Sequence, residues 1–95
     1  MAKVPISIDS AGAAHPDNAK LKSDNDHAEW TSGRNFTIAF ADGVDAPKTK
    51  QDGSNWVAKS KVFSKAEEGR HNYTITLVTS SGESIVVDPS IDVES

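Results

Sequence analysis

The sequence predicts an all-β fold: an antiparallel, Greek-key β-sandwich of about seven or eight short strands, in a single domain over residues 1–95. Three observations carry this. Apolar residues recur with a period of two in nearly every ordered stretch, which is the signature of strands with one face in a core and one in water. Turn-forming clusters of Gly, Pro, Asp, Asn and Ser fall between the stretches at short intervals. Only one segment, Ser64 to Gly69, reads as a helical turn, with Ser64 as its cap and Gly69 as its end.

Taken in order, the first strand carries Val4, Ile6 and Ile8 on one face. Pro5 marks it as an edge strand or a strand beginning, because proline has no N–H to give a ladder. Ala19 and Leu21 alternate with Lys20 and Lys22, and Ala28 and Trp30 flank Glu29. Phe36, Ile38 and Phe40 form the next apolar face, and Tyr73, Ile75 and Leu77 another. Ile85 to Val87 and Ile91 to Val93 close the chain, with Asp88-Pro89 between them bending the last strand or placing it on an edge. The predicted core is Ile6, Ile8, Leu21, Trp30, Phe36, Ile38, Phe40, Phe63, Tyr73, Ile75, Leu77, Ile85, Val87, Ile91 and Val93. The longest irregular stretch runs from Asp42 to about Asn55, and a loop of that length in a small domain is functional or mobile.

Composition narrows the chemistry. The chain of 95 residues has no cysteine, which excludes disulfides, thiolate metal sites and a thiol nucleophile. Hydrophobic residues make up 36% and charged residues 25%, a polar balance, but the apolar residues come in organised runs and not in a disordered pattern. A net charge of -4 argues against nucleic acid as the partner. No run approaches a membrane span, so membrane insertion is not expected, nor is there a signal-peptide core. The chain as written reads as cytoplasmic, or as periplasmic or secreted if an export signal has been removed.

Several segments carry a family resemblance. Asn18-Ala19-Lys20-Leu21-Lys22, a polar turn and Asp26-His27-Ala28-Glu29-Trp30 form a strand, an acidic turn and a strand ending in Trp. Asn35-Phe36-Thr37-Ile38-Ala39-Phe40 and Tyr73-Thr74-Ile75-Thr76-Leu77 follow, and the tail reads Asp88-Pro89-Ser90-Ile91-Asp92-Val93. In this order they resemble a cupredoxin-like domain, the sandwich of the small blue copper proteins, with an immunoglobulin-like sandwich as the other form of the same architecture. The resemblance implies a first copper histidine where this chain has Asn35 or Phe36, and a copper cysteine where it has Leu77. Val78 to Ser84 holds neither histidine nor methionine. Without thiolate and imidazoles a blue copper site cannot form, so the resemblance implies a copper-free scaffold with no cofactor.

The remaining candidates are few. His27 has the opposite parity to Ala28 and Trp30 and is expected to face water; His71 shares parity with Tyr73 and is expected at the end of the core. A His27 or His71 site with Asp26 or Glu29 is the metal-binding alternative. Asp42, Asp45, Asp52 and Asn55 are oxygen donors, but their spacing departs from a calcium loop, and turn formation by Asp-Gly steps accounts for them better. Trp56 packs inside with Val57 at the rim, or faces outward to stack on a sugar or anchor a protein. Lys59, Lys61 and Lys65 read as a charged edge. No nucleophile elbow or phosphate loop is present, which argues against an enzyme. The expected function is a non-catalytic module that binds a protein or small ligand through Trp56, Asp42, Asp45, Asp52 and Asn55, with carbohydrate binding through Trp56 as a further alternative.

Overall fold

The computed structural model describes residues 2–44 and 46–95 and is an all-β sandwich. Its strands are β1 (Ala2–Ile8), β2 (Ala14–His15), β3 (Asn18–Lys22), β4 (Asp26–Ser32), β5 (Phe36–Phe40), β6 (Lys50–Asp52), β7 (Asn55–Lys59), β8 (Gly69–Val78), β9 (Ser84–Val87) and β10 (Ser90–Glu94). The first sheet has the order β2-β1-β4-β7-β6; the second has β3-β10-β8-β5, with β9 also on β8. Asp45, one of the candidate oxygen donors, lies outside the described residues.

The sheets are mixed, which corrects the antiparallel expectation. β1 runs parallel to β4, and β3 runs parallel to β10. The cause is a change of sheet without a change of direction. β2 turns back antiparallel to β1, and after Pro16 and Asp17 the chain continues as β3 in the opposite sheet. β4 then returns in the direction of β1 and pairs with it. The tail repeats the device: β9 pairs with the far half of β8, the chain steps at Asp88-Pro89, and β10 fills the gap between β8 and β3. The bend is pinned by the Thr74 hydroxyl, which donates to Asp88 at 2.8 Å, and by the Tyr73 amide on the Pro89 carbonyl. Pro5 fits its expected place, since β2 covers β1 only at Ser7 and Ile8.

Alternation places the core as read from sequence, with two adjustments. Ile85 and Val87 are half-buried and pack against the core from β9, while Ala14, Ala19, Ala28 and Ala58 lie fully inside it. Small side chains are needed where the two sheets approach around the large rings. Trp30, Phe40 and Tyr73 meet edge-on or tilted, with centroids 5.4 to 6.4 Å apart, and Phe63 joins them at 6.1 Å from Phe40. The Trp30 indole N–H donates to the Tyr73 hydroxyl at 2.9 Å, a buried hydrogen bond from one sheet to the other. Leu77, at the position where the resemblance puts a copper cysteine, is fully buried opposite Phe36.

The stretch from Asp42 to Asn55 is not one loop. It crosses from the second sheet to the first along the free edge of β5, with Val44 against the core and the Thr49 hydroxyl donating to the Phe36 carbonyl at 2.6 Å. It then forms β6 and turns at Gly53 and Ser54 into β7. Gly53 takes a positive φ of 62, as this tight hairpin requires. The expected helical turn is a single 3-10 turn, Lys65–Glu67, in which the Glu67 carboxylate accepts from the Ser64 amide at 2.9 Å.

Candidate functional site

On the second sheet Thr37, Thr76 and Val86 lie in one row across β5, β8 and β9, and Ala39 pairs with Thr74 beside them. Among the described residues, the two large hydrophobics that are well exposed, Val78 at 45% and Val86 at 59%, belong to this sheet. Charge lies on both sheets: on the second, Arg70 pairs with Asp92 at 2.9 Å and Lys20 with Glu94 at 3.5 Å, and the first carries its charge on β1, β4, β6 and β7. Lys3 stands opposite His27, Glu29 opposite Lys59, and Thr31 opposite Val57, which in turn faces Lys50. Glu29 is held between two ammonium groups, Lys3 at 3.5 Å and Lys59 at 3.7 Å.

At the β6–β7 margin the outer face of the first sheet forms a groove of about 500 Å³ lined by Lys48, Lys50, Gln51, Asp52, Val57 and Lys59. Strand geometry assembles it. Lys48, Lys50 and Asp52 share parity, and Val57 and Lys59 share parity on the neighbouring strand. Lys50 is directly opposite Val57, which makes Lys50 and Lys59 diagonal neighbours with a spacing of roughly 7–8 Å. Lys48 and Lys50 therefore border one apolar residue, Val57, together with Lys59, whose ammonium is shared with Glu29 at 3.7 Å, and the Asp52 carboxylate lies beside them. Among the described residues neither Lys48 nor Lys50 has an ion pair, and the Lys59 side chain is 67% exposed.

The sequence-predicted site residues relate to this groove unequally. Asp52 lines it, and Asn55 pairs with Asp52 across the hairpin. Trp56 has inward parity, opposite Ser32 and Gln51, and sits half-buried against the core. It backs the groove and does not line it, which is the inward one of the two orientations the sequence leaves open, with Val57 at the rim. Asp42 is at the other end of the sandwich, beyond the end of β5 that pairs with Tyr73, so the expected loop surface is divided in two. The predicted basic stripe is also redistributed. β7 ends at Lys59, and Lys61 lies beyond it, 2.5 Å from Glu67 and over the Phe63 ring. Lys48 and Lys50 were the missed members; their i, i+2 spacing beside a hairpin turn is the signal that marks them.

Asp42 belongs to a second polar cluster. His71 is buried on Phe63, ring centroids 5.1 Å apart, with Nδ1 2.5 Å from the Asp42 carboxylate and Nε2 2.6 Å from the Glu67 carbonyl. Desolvation pushes the Asp42 carboxyl up, but hydrogen bonds from His71 and the Val44 amide, with the His71 charge, outweigh it and leave the group below its usual range. The Lys61 ammonium, helped by the Ser64 amide and hydroxyl, pulls the Glu67 carboxyl down to about 2. Both His71 nitrogens are committed to oxygen atoms, so the ring joins the crossover to the 3-10 turn and is not placed as a ligand. It does not meet Asp26 or Glu29: Asp26 accepts from the Lys22 amide in the β3–β4 turn, and Glu29 is on the outer face of the other sheet. Among the described residues, no three His, Asp or Glu side chains gather as a metal site.

No family model matches the chain, and no curated protein matches it. Among solved structures, it is similar to the endo-fucoidan hydrolase MfFcnA4 of glycoside hydrolase family 107, studied as a single-site variant. The TM-score is 0.54 and the identity 14%, over 98% of this chain and 13% of that one. A second endo-fucoidan hydrolase of that family, MfFcnA9, superposes with a TM-score of 0.41 and 14% identity over 82% of this chain and 14% of that one. The chain thus spans a small fraction of the length of either enzyme, and the first likeness is one of fold.

Proposed function

We propose that this domain is a non-catalytic binding module, built on a copper-free cupredoxin-like sandwich, that takes an acidic ligand in the β6–β7 groove. The observation that carries this reading is the arrangement of Lys48, Lys50 and Lys59 around Val57 in a chain whose net charge is -4. A positive potential on an acidic protein has to be built locally, and here Lys48 of the crossover and Lys50 of β6 supply it, beside Lys59, which also pairs with Glu29 at 3.7 Å. Exposed ammonium contacts contribute only about 0–1 kcal/mol each, so the expected affinity is modest and depends on engaging several anions together. The non-catalytic part of the reading is supported by His71, the one buried imidazole, which is tied at both nitrogens and cannot serve as a general base without breaking a contact.

The test is an amide-resolved titration of the labelled protein with polyaspartate and with dextran sulfate. Shifts are expected over residues 48–59, with binding lost on raising salt from about 50 to about 300 mM. The K48Q/K50Q/K59Q variant is expected to bind at least about tenfold more weakly. Shifts centred elsewhere, or unchanged binding in that variant, would overturn the reading.

A further inference from the structure

Resting on that reading of the groove, we infer that its ligand is an acidic polysaccharide, a chain of sugar units bearing carboxylate or sulfate groups. The groove offers three kinds of contact at once. Lys48 and Lys50, with Lys59 shared with Glu29 at 3.7 Å, present ammonium donors to anionic substituents; the Asp52 carboxylate presents a hydrogen-bond acceptor suited to hydroxyls; and Val57 presents an apolar floor. An acidic sugar unit carries the matching set: an anionic group, neighbouring hydroxyls and an apolar C–H face. The volume of about 500 Å³ falls within the range of clefts for small ligands, about 300–1,000 Å³, and admits a short stretch of such a chain.

Two competing ligand classes fit the groove less well. A peptide that adds a strand needs a long open edge, and β6 is three residues long and carries Lys50, which discourages strand addition. An Asp- or Glu-rich peptide brings carboxylates against Asp52 with no hydroxyl for it to accept from, whereas an acidic sugar unit carries hydroxyls beside its anionic group. A neutral sugar is usually held by stacking on an aromatic ring, and Trp56 turns to the inner face. The carboxylate among the lysines is thus the informative residue: it lowers affinity for a bare polyanion and adds an acceptor for a hydroxylated one.

Asp52→Asn separates these cases, because asparagine keeps the turn-forming side chain and removes the charge. The probes are an oligogalacturonate, dextran sulfate, a glutamate peptide of the same charge as the oligogalacturonate, and a neutral malto-oligosaccharide, each measured by calorimetry on wild type, D52N and K48Q/K50Q/K59Q. The expected result is binding of an acidic glycan, lost in the lysine variant and weakened at least about threefold in D52N, with no binding of the neutral glycan. Oligogalacturonate alone identifies carboxylated chains as the ligand, and dextran sulfate alone identifies sulfated ones. Tighter binding of the glutamate peptide than of either acidic glycan, or glycan binding that D52N strengthens or leaves unchanged, would overturn the inference and leave the groove as an anion site. Equal binding of the neutral glycan would overturn it as well. If no probe binds in a lysine-dependent way, the groove reading fails together with the inference.

Discussion

Replacing Tyr73 by phenylalanine tests the link between the two sheets. The ring remains, so the aromatic contacts with Trp30 at 5.4 Å and Phe40 at 5.5 Å are kept and only the hydroxyl is lost. The Trp30 indole N–H then has no partner in a core from which both side chains exclude water almost completely. A buried donor left unpaired costs about 1–3 kcal/mol, so Y73F is expected to lose about 2 kcal/mol, or about 10 °C in Tm for a domain of this size. Urea unfolding followed by tryptophan fluorescence measures it: the midpoint should fall while the slope stays constant. A second arm uses ionisation. Burial pushes the Tyr73 phenol up to about 12 from 10.0, with the nearby Asp17 charge adding to it and the Trp30 hydrogen bond opposing it. Because the folded value is raised, this stability is complete below pH 10 and is lost as pH rises through 12, when the unfolded chain ionises first. Wild type should therefore lose roughly 2–3 kcal/mol across that window, and the gap to Y73F should close. A Y73F variant within about 0.5 kcal/mol of wild type at pH 7, or a constant gap from pH 9 to about pH 12, would refute the reasoning.

Three further outcomes are expected. Gly12 has a φ of +85, and a Cβ there would stand 2.9 Å from Ile85 Cγ2, whereas Gly43, at φ +81, faces open space. Gly12→Ala should cost about 2–3 kcal/mol and Gly43→Ala only about 1 kcal/mol in thermal or urea melts; equal losses would show that Ile85 gives way freely. Glu67→Gln removes the carboxylate that Lys61 and the Ser64 amide hold down to about 2, a stabilisation present above pH 4.5 and lost as pH falls toward 2. The urea midpoint of the variant should fall less steeply than that of wild type over that range, by under about 1 kcal/mol for so exposed a group. Asp42→Asn takes the charge from His71 and should cost about 1–2 kcal/mol at pH 7. Since the folded Asp42 carboxyl is lowered, wild type loses stability relative to the variant as pH drops below 3.8, and the gap between them should narrow there; a gap that stays constant down to about pH 2 would count against the pair.

The strands were legible where alternation was long. Phe36-Thr37-Ile38-Ala39-Phe40 and Tyr73 to Leu77 read as strands with one face inside, and their inward residues are the ones buried. β2 and β6 were not legible, because strands of two and three residues have too few positions to show a period. Parallel pairing was equally hidden: alternation is the same whichever way a neighbour runs. The candidate site was legible in part. Asp52 was named as a site residue and Lys48 and Lys50 were not, because only the folding of β6 against β7 brings Lys59 beside them. Trp56 was readable as one of a pair with Val57, and only the register with Ser32 decides which of the two turns inward.

By itself the sequence determined that this chain is all-β, most of the large side chains that enter its core, and that no thiol chemistry operates in it. These follow from local facts: a period of two records the face on which each residue lies, and an absent residue type is absent in any fold. Only the tertiary structure decided partners and places. It put the Asp42 carboxylate on His71, 29 residues away, turned β1 parallel to β4, and gathered Lys48, Lys50 and Lys59 around Val57. The reason is that partner choice depends on how two sheets close over one set of large rings, and no stretch of local sequence carries that condition.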